Sequence, residues 1–417
     1  MQTTFSPQST KRSAPSHDKR ERRIAPIDAK AGQPMTTSPH VVVIGAGTLG
    51  MWTATNLIEQ GARVTVLDAQ AIASGSSGRS VGVVGTQFTD PFELMLRGHA
   101  IPRFRELEEV GLRFNHIGYL RLARTQEQLE LFEKSVVMQA EKGFRARVYK
   151  ADELAQLVPH IDPAGLAGGI FGPDDGFIDP HEMCTILAER LRGRGGVIRQ
   201  FSKVNDIERR PGGGYLLKTG GAAIDCDMVV NAAGAWASPV AAMFGQALHV
   251  RPERHEAVSI LLEKPLDYTM PMVMDLVNGE GSGLNFRHEK RNELIAEVHK
   301  VASLEPEDPE TYNDQCEEES KVHLAELLLE RVPHLPGARL GRGWAGLYPV
   351  TADHRPFVGP IDPLEPTLVT AAGAGGYGIQ LSPVIGQVAA DWVLHGSPVS
   401  APGAEALLPT PARNIPG

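Results

Sequence analysis

Hydrophobic and polar positions divide the chain into short apolar runs and longer stretches with helical spacing. The first run is unbroken: Val41, Val42, Val43 and Ile44 follow His40, as a strand buried on both faces requires. Gly45-Ala46-Gly47-Thr48-Leu49-Gly50 then turns the chain, and Met51 to Gln60 reads as a helix ended by Gly61. Arg63 to Leu67 forms a second strand that stops on Asp68. A glycine-rich turn alone is a weak sign. Here it joins a strand to a helix, and an acid closes the next strand eighteen residues after Gly50. In that setting Gly45 makes the tight turn, Gly47 lets backbone approach a pyrophosphate, and Gly50 lets the helix lie close on the strand. Thr48 and Leu49 open the helix, whose first amides favour phosphate, and Asp68 is placed to accept hydrogen bonds from a ribose. The plainer alternative is a structural βαβ turn.

Downstream the pattern changes repeatedly. Ala73 to Val84 is small and glycine-rich, either a wrap around the far side of a bound nucleotide, with Arg79 and Ser80 as donors, or a mobile loop. Helices are expected over Pro91–Val110, Thr125–Lys142, a short Lys150–Leu157, and from Pro180 to about Arg194, with a strand at Gly118–Ala123. Residues 197–226 form a meander of short strands, in which Val204 is a further candidate contact to the nucleotide. Met228, Val229 and Val230 make a buried strand leading into Asn231-Ala232-Ala233-Gly234, where tiny residues mark close approach to the backbone or tight helix packing. Strands return between Val250 and Val298, and Lys321–Val332 is an amphipathic helix. Near the end, Thr367–Ala371 is a buried strand that opens into Gly373-Ala374-Gly375-Gly376-Tyr377-Gly378. Ser382 suits an N-cap and Pro383 a first helical position, in a helix running to His395 and stopped by Gly396. That helix would present its positive end to a group that becomes negative.

Composition narrows the class. With 417 residues, 42% apolar and 22% charged, the chain has the makings of a soluble globular protein of two or three domain-sized units. A formal charge of −9 argues against a nucleic-acid surface. Much of that charge lies between Glu305 and Glu319, read as a solvated loop and helix start. Cys184, Cys226 and Cys316 are few, odd in number and far apart, which fits a reducing, cytoplasmic setting without disulfides or a metal cluster. No stretch is apolar enough to span a membrane. Residues 1–38 are rich in Ser, Pro, Lys and Arg and read as a disordered tail, with Met35 an alternative start.

Five segments stand in one order between about residue 40 and residue 396: VVVIGAGTLGMWTATNLIEQG, GFIDP, VVNAAGAWA, GWAGLYPVTADHRPFVG and AGAGGYGIQLSPVIG. Together they resemble the flavin-dependent D-amino-acid oxidase and sarcosine oxidase superfamily, in particular its sarcosine oxidase β-subunit and sarcosine dehydrogenase-like branch. The resemblance implies FAD as the dinucleotide. It also implies a mixed α/β and α+β chain, in which a Rossmann-type FAD-binding domain (39–90, 151–240 and 339–400) is interleaved with an antiparallel-sheet substrate domain (91–150 and 241–338), followed by a C-terminal tail (401–417). Ala233, Gly234 and the loop Gly375, Gly376, Tyr377, Gly378, with Gln380, would then contact the flavin. Family members with covalent flavin use a Cys near Gly346 or a His near Arg79. Neither is present here, so the FAD is expected to be non-covalent. Ile295 stands where sarcosine oxidases place an oxygen-activating Lys, and Gln380 replaces a carboxylate-binding Lys, which favours a dehydrogenase over an oxidase.

The chemistry implied is hydride transfer from a carbon bearing nitrogen to flavin N5, giving an imine that water hydrolyses. The substrate is then a small amino acid or N-alkyl amino acid. Arg287 is the first candidate for its carboxylate, because a bidentate Arg pair supplies charge and orientation together; a surface Arg at a strand end is the alternative. His299 matches an active-site His of sarcosine oxidases, and His255 and Tyr348 are further choices. A 2-hydroxy-acid dehydrogenase, a subunit or assembly factor of a hetero-oligomer, and an NAD-dependent enzyme are the competing readings. The electron acceptor is O₂ or a redox partner.

Overall fold

The computed structural model describes residues 38–276, 283–299, 305–335 and 337–416. The expected N-terminal tail lies outside these residues, apart from Ser38. The unbroken apolar run becomes the strand His40–Ile44, at the heart of a six-stranded sheet. Its neighbours are Arg63–Leu67 on one side and Met228–Asn231 on the other, both parallel to it. Val197–Arg199 and Leu368–Ala372 extend the sheet in parallel, and Phe357–Pro360 closes one edge antiparallel. Three distant stretches of chain thus build one sheet. Helices Thr48–Glu59, Pro180–Gly193 and Gly378–His395 cover it and share one core with Val41, Val43 and Val230. At Gly386 a side chain would meet Trp52 Cβ at 2.5 Å, so the first and last helices pack with backbone close to side chain.

A second sheet of eight strands is built from segments interleaved in sequence with those of the first. Its order runs Arg339–Val350, Arg251–Leu261, Glu293–His299, Gly283–Lys290, Met272–Leu276, Tyr119–Ala123, Gly168–Gly172, Arg147–Lys150. All neighbours are antiparallel except Met272–Leu276 with Tyr119–Ala123. Alternation divides its two faces. Val258, Ile260, Leu284, Phe286, Leu294 and Ala296 form a second core against Leu324 and Leu328 of the helix Glu318–Arg331. The opposite face carries His255, Asn285, Arg287, Glu297 and Tyr348, as the register requires.

The boundaries differ from those expected. Arg339–Val350 and Gly168–Gly172 pair in the eight-stranded sheet, whereas Leu96, Ala100, Phe104 and Leu107 of the helix Pro91–Glu108 join the core of the six-stranded one. The end of the chain is docked, not loose: Ala401, Ala404 and Leu407 are buried in that same core, and Arg413 reaches Asp353 Oδ2 at 2.6 Å. Helix and strand positions otherwise follow the pattern of apolar residues. Among the described residues no helix is long and apolar enough to cross a membrane.

One polar knot is built on the turn between Gly168–Gly172 and the short strand Gly176–Ile178. Asp175 accepts from Gln87 Nε2 at 2.7 Å and from the amide and hydroxyl of Thr86 at 3.1 Å each, and all three residues are buried. Burial pushes its carboxyl up to about 6, against the pull of these donors. The folded carboxyl therefore holds its proton to a higher pH than the unfolded one, and its ionisation opposes folding. Stability should fall as pH rises from ~4, the ordinary Asp value, to about 6. Urea midpoints measured across that window should show less of this fall in Asp175→Asn; an identical slope in the variant would remove Asp175 as its source.

Candidate active site

Because five strands of the first sheet run parallel, the turns that follow them emerge on one edge. Gly373–Gly378, Ala232–Gly234, Gly45–Gly50 and Asp68 follow four neighbouring strands in that order. Ligands of open α/β sheets sit at such carboxyl ends. A single cavity of about 610 Å³ runs along the edge, lined by Gly45, Gly47, Thr48, Leu49 and Asp68 on one side and Gly375, Gly376 and Gly378 on the other. Ser80, Val204, Ala233 and Gly234 line it as well. The two glycine-rich turns therefore face one groove.

Each glycine of the first turn acts as its position demands. Gly45 has φ +111°, and a side chain there would strike Ala232 O at 2.3 Å. A side chain on Gly50 would meet Gly45 O at 1.9 Å, so Gly50 serves the packing and lies outside the cavity wall. Ser77 Oγ accepts from the Thr48 amide at 3.0 Å, while no described side chain takes the amides of Leu49 and Gly50. Asp68 accepts from Ala46 N at 2.6 Å and Gln70 N at 2.8 Å. Burial raises its carboxyl and these two amides hold it down, with burial the larger effect.

The acidic stretch is more than a solvated loop. Asp308, Pro309 and Glu310 line the cavity, and Glu310 Oε1 accepts from Lys203 Nζ at 2.8 Å and Trp236 Nε1 at 3.1 Å. This strap crosses from the meander to the Ala233 turn at the Asp68 end of the groove. Ser74 to Ser77 also contribute, within a loop that contains a single helical turn, Ser76–Arg79.

At the other end the last helix starts earlier than expected, at Gly378, so Ser382 is not its N-cap. Pro383 sits inside the helix, where it cannot donate to the carbonyl of Ile379. The Ser382 hydroxyl donates to that carbonyl instead, at 2.8 Å. This substitution lets the helix begin directly after the glycine loop. No side chain caps its N-terminus, and Gly378 and Ile379 line the cavity. Gly396 ends the helix in the left-handed region at φ +69°. Tyr348 packs on Gly376, where a side chain would meet its ring at 2.6 Å, and stacks on His255 with centroids 3.9 Å apart.

Other expected contacts lie elsewhere. The guanidinium of Arg79 donates to Ala345 O at 3.2 Å and Asp314 Oδ2 at 3.1 Å, outside the main cavity wall. Tyr377 packs edge-on against Phe88, and Gln380 is buried with Oε1 3.4 Å from the amide of Gly85. Arg287 is not presented to the cavity as a free anchor. It donates to Glu289 Oε2 at 2.6 Å, His288 O at 2.8 Å and Val81 O at 2.7 Å, over the ring of Phe177. The buried pairing follows from register, which aims it at Val81 of the loop below. His299 ends its strand opposite Gly283, and its side chain lies outside the described residues. Missed from sequence were Lys203 and Glu310, which stand 107 residues apart in the chain, so spacing gives no sign of their ion pair.

The residues present fit an extended dinucleotide. Two helix N-termini open onto opposite parts of one groove, neither capped by the side chain of its own N-cap residue, a carboxylate stands at one end, and glycines line the approaches. The chain belongs to the DAO family of FAD dependent oxidoreductases, whose model matches residues 40–392. Its family thus marks it as an FAD-dependent oxidoreductase. The mitochondrial dimethylglycine dehydrogenase of Rattus norvegicus is 27% identical over 374 residues, covering 86% of this chain and 43% of that one. The glycine oxidase of Geobacillus kaustophilus is 25% identical, covering 86% of this chain and 94% of its own. The crystal structure of L-proline dehydrogenase from P. horikoshii superposes with a TM-score of 0.79 at 26% identity, covering 89% and 97%. The chain spans less than half the length of the dimethylglycine dehydrogenases it matches.

Two measurements test the assignments within the site. Asp68→Ala should weaken FAD binding to the apoprotein roughly 10- to 100-fold, the equivalent of a lost hydrogen bond to a charged group. Quenching of flavin fluorescence on titration reads this directly, and unaltered affinity would end the ribose role. Arg287→Met should lower stability by about 1–3 kcal/mol, since it unpairs Glu289 and two carbonyls, while leaving KM for a carboxylate substrate near wild type. A large rise in KM without loss of stability would restore Arg287 as the anchor.

Proposed function

We propose that this chain oxidises the carbon–nitrogen bond of a small amine, a class that includes amino acids and N-alkyl amino acids. The observation that carries this reading is the placement of the second sheet. Tyr348 on its inner face borders the cavity where the glycine loop and the last helix begin. Relatives named for dimethylglycine, glycine and proline support it, because each of those compounds carries nitrogen beside the carbon to be oxidised.

When bound, FAD supplies a two-electron acceptor that takes hydride from carbon. The chain's own residues provide the setting. The uncapped start of Gly378–His395 directs its positive end at the glycine loop, where it would steady negative charge gained by the cofactor's pyrimidine edge. Tyr348 lines the same end and is backed by the stacked ring of His255, so aromatic surface borders it. Beside such apolar surface an amine gives up its proton more readily, which leaves the nitrogen lone pair free to drive hydride from the adjacent carbon. Gly346 offers no side chain for a covalent bond to the flavin, and Cys184, Cys226 and Cys316 are all absent from the cavity wall. These features support a cofactor held without a covalent link.

Anaerobic mixing with amines, amino acids, N-methyl amino acids and 2-hydroxy acids should bleach the oxidised flavin for nitrogen compounds alone. Bleaching by hydroxy acids and by no amine would overturn the reading. Acid precipitation should leave the flavin in solution; a yellow pellet would contradict non-covalent binding. Reoxidation by O₂ or by a dye then separates oxidase from dehydrogenase.

A further inference from the structure

The family match ends at residue 392, yet the chain beyond it is tied to segments that border the cofactor groove. Arg413 donates from each of its nitrogens. Nε meets Asp353 Oδ2 at 2.6 Å, and Nη2 meets Asp353 Oδ1 at 3.1 Å and Arg355 O at 2.9 Å. Nη1 turns back to Ala406 O at 2.9 Å and Leu408 O at 3.0 Å. The guanidinium carbon lies 4.9 Å from the ring centre of Phe357. Asp353 in turn accepts from the Thr351 hydroxyl at 3.1 Å and the Arg355 amide at 3.2 Å. Inside this turn His354 takes φ +56°, a left-handed conformation that a side chain resists, so contacts from outside are needed to hold it. Next to Arg413, Asn414 accepts from His249 N and donates to Ala247 O, both at 2.8 Å.

Both held segments press on one glycine loop. The strand Arg339–Val350 runs into the clasped turn, and its end passes along the loop in reverse order: Tyr348 packs on Gly376, Val350 faces Gly375 and Thr351 packs on Gly373. A side chain on Gly373 would meet Thr351 Cγ2 at 2.5 Å and Val250 Cγ2 at 3.5 Å. Thr351 belongs to the turn that Arg413 clasps, and Val250 follows the His249 that Asn414 holds. Neither Arg413 nor Asn414 lines the cofactor groove, whereas Gly375, Gly376 and Gly378 do. We propose that Arg413 is a positioning residue for the flavin. Its grip on residues 351–356, with that of Asn414 on residues 247–249, sets how closely the glycine loop approaches the cofactor. This rests on the placement of the flavin's pyrimidine edge at that loop and extends it. A guanidinium suits the task, because its rigid fork holds a carboxylate and several carbonyls at once, which an ammonium cannot do in the same geometry.

The test uses FAD-loaded protein. Arg413→Met should change the shape and position of the oxidised flavin's visible bands at saturating FAD. It should also weaken FAD binding roughly 3- to 10-fold, the equivalent of one displaced hydrogen bond. Arg413→Lys should recover part of both, and ethylguanidinium added to Arg413→Ala should restore the bands. Asp353→Asn, which keeps the volume of the turn and removes its charge, should shift the bands in the same direction, and it decides the outcome if Arg413→Met does not fold. A role confined to stability would lower the urea midpoint of the apoprotein and leave the saturated spectrum as in wild type. That result in the Arg413 and Asp353 variants would overturn the proposal. Gly376→Ala, whose methyl would meet the Tyr348 ring at 2.6 Å, calibrates the spectrum. If Gly376→Ala shifts the bands and the Arg413 variants do not, the clasp fails and the flavin placement stands. If Gly376→Ala leaves them unaltered, the placement fails and the proposal with it.

Discussion

A nucleotide gripped by two distant stretches of chain requires the strands before those stretches to lie side by side and run the same way. Here His40–Ile44, Met228–Asn231 and Leu368–Ala372 are consecutive parallel neighbours, although almost two hundred residues separate the first from the second. Parallel pairing sends every following turn to one edge, and burial on both faces demands the continuous apolar runs that mark these strands. The groove, the helix N-termini that open onto it and the position of Tyr348 all depend on that alignment.

Close backbone approach is the second constraint, and it works differently at the two ends. In the first turn, Gly45 and Gly50 are required by contacts within the protein, with Ala232 and with each other, while Gly45 and Gly47 line the groove. At the last helix the exchange of roles between Ser382 and Pro383 lets helical structure begin at Gly378, so the positive end of the helix stands next to the cavity. The second sheet contributes no glycine turn to the groove. It supplies a polar face on which, among the described residues, Arg287 pairs with Glu289 and Glu297 accepts from Asn285.

The features legible in the sequence were those governed by neighbours in the chain. Val41 to Ile44 announced a buried strand, the glycines announced a turn, and Asp68 announced its end. Alternation in Val250–Val298 announced strands, and five motifs in order announced the family. Features decided by partners far along the chain were hidden. Arg287 has the residue type of an anchor, but Val81 and Glu289, brought to it by register, occupy its donors. Glu310 looked like one acid among many until Lys203 and Trp236 were seen beside it. Ser382 and Pro383 are a common cap sequence, and only the carbonyl of Ile379 shows why they lie inside a helix.

The wall of the cofactor groove is drawn from Gly45, Val204, Gly234, Glu310 and Gly376. No fragment of the polypeptide holds more than part of it, so FAD has nothing to grip in the unfolded chain. Occupancy must therefore shift the folding equilibrium by mass action, adding roughly 2.7 kcal/mol at a hundredfold excess over Kd. Flavin supply in the cell becomes a determinant of how much of this protein survives, as well as of how much of it is active.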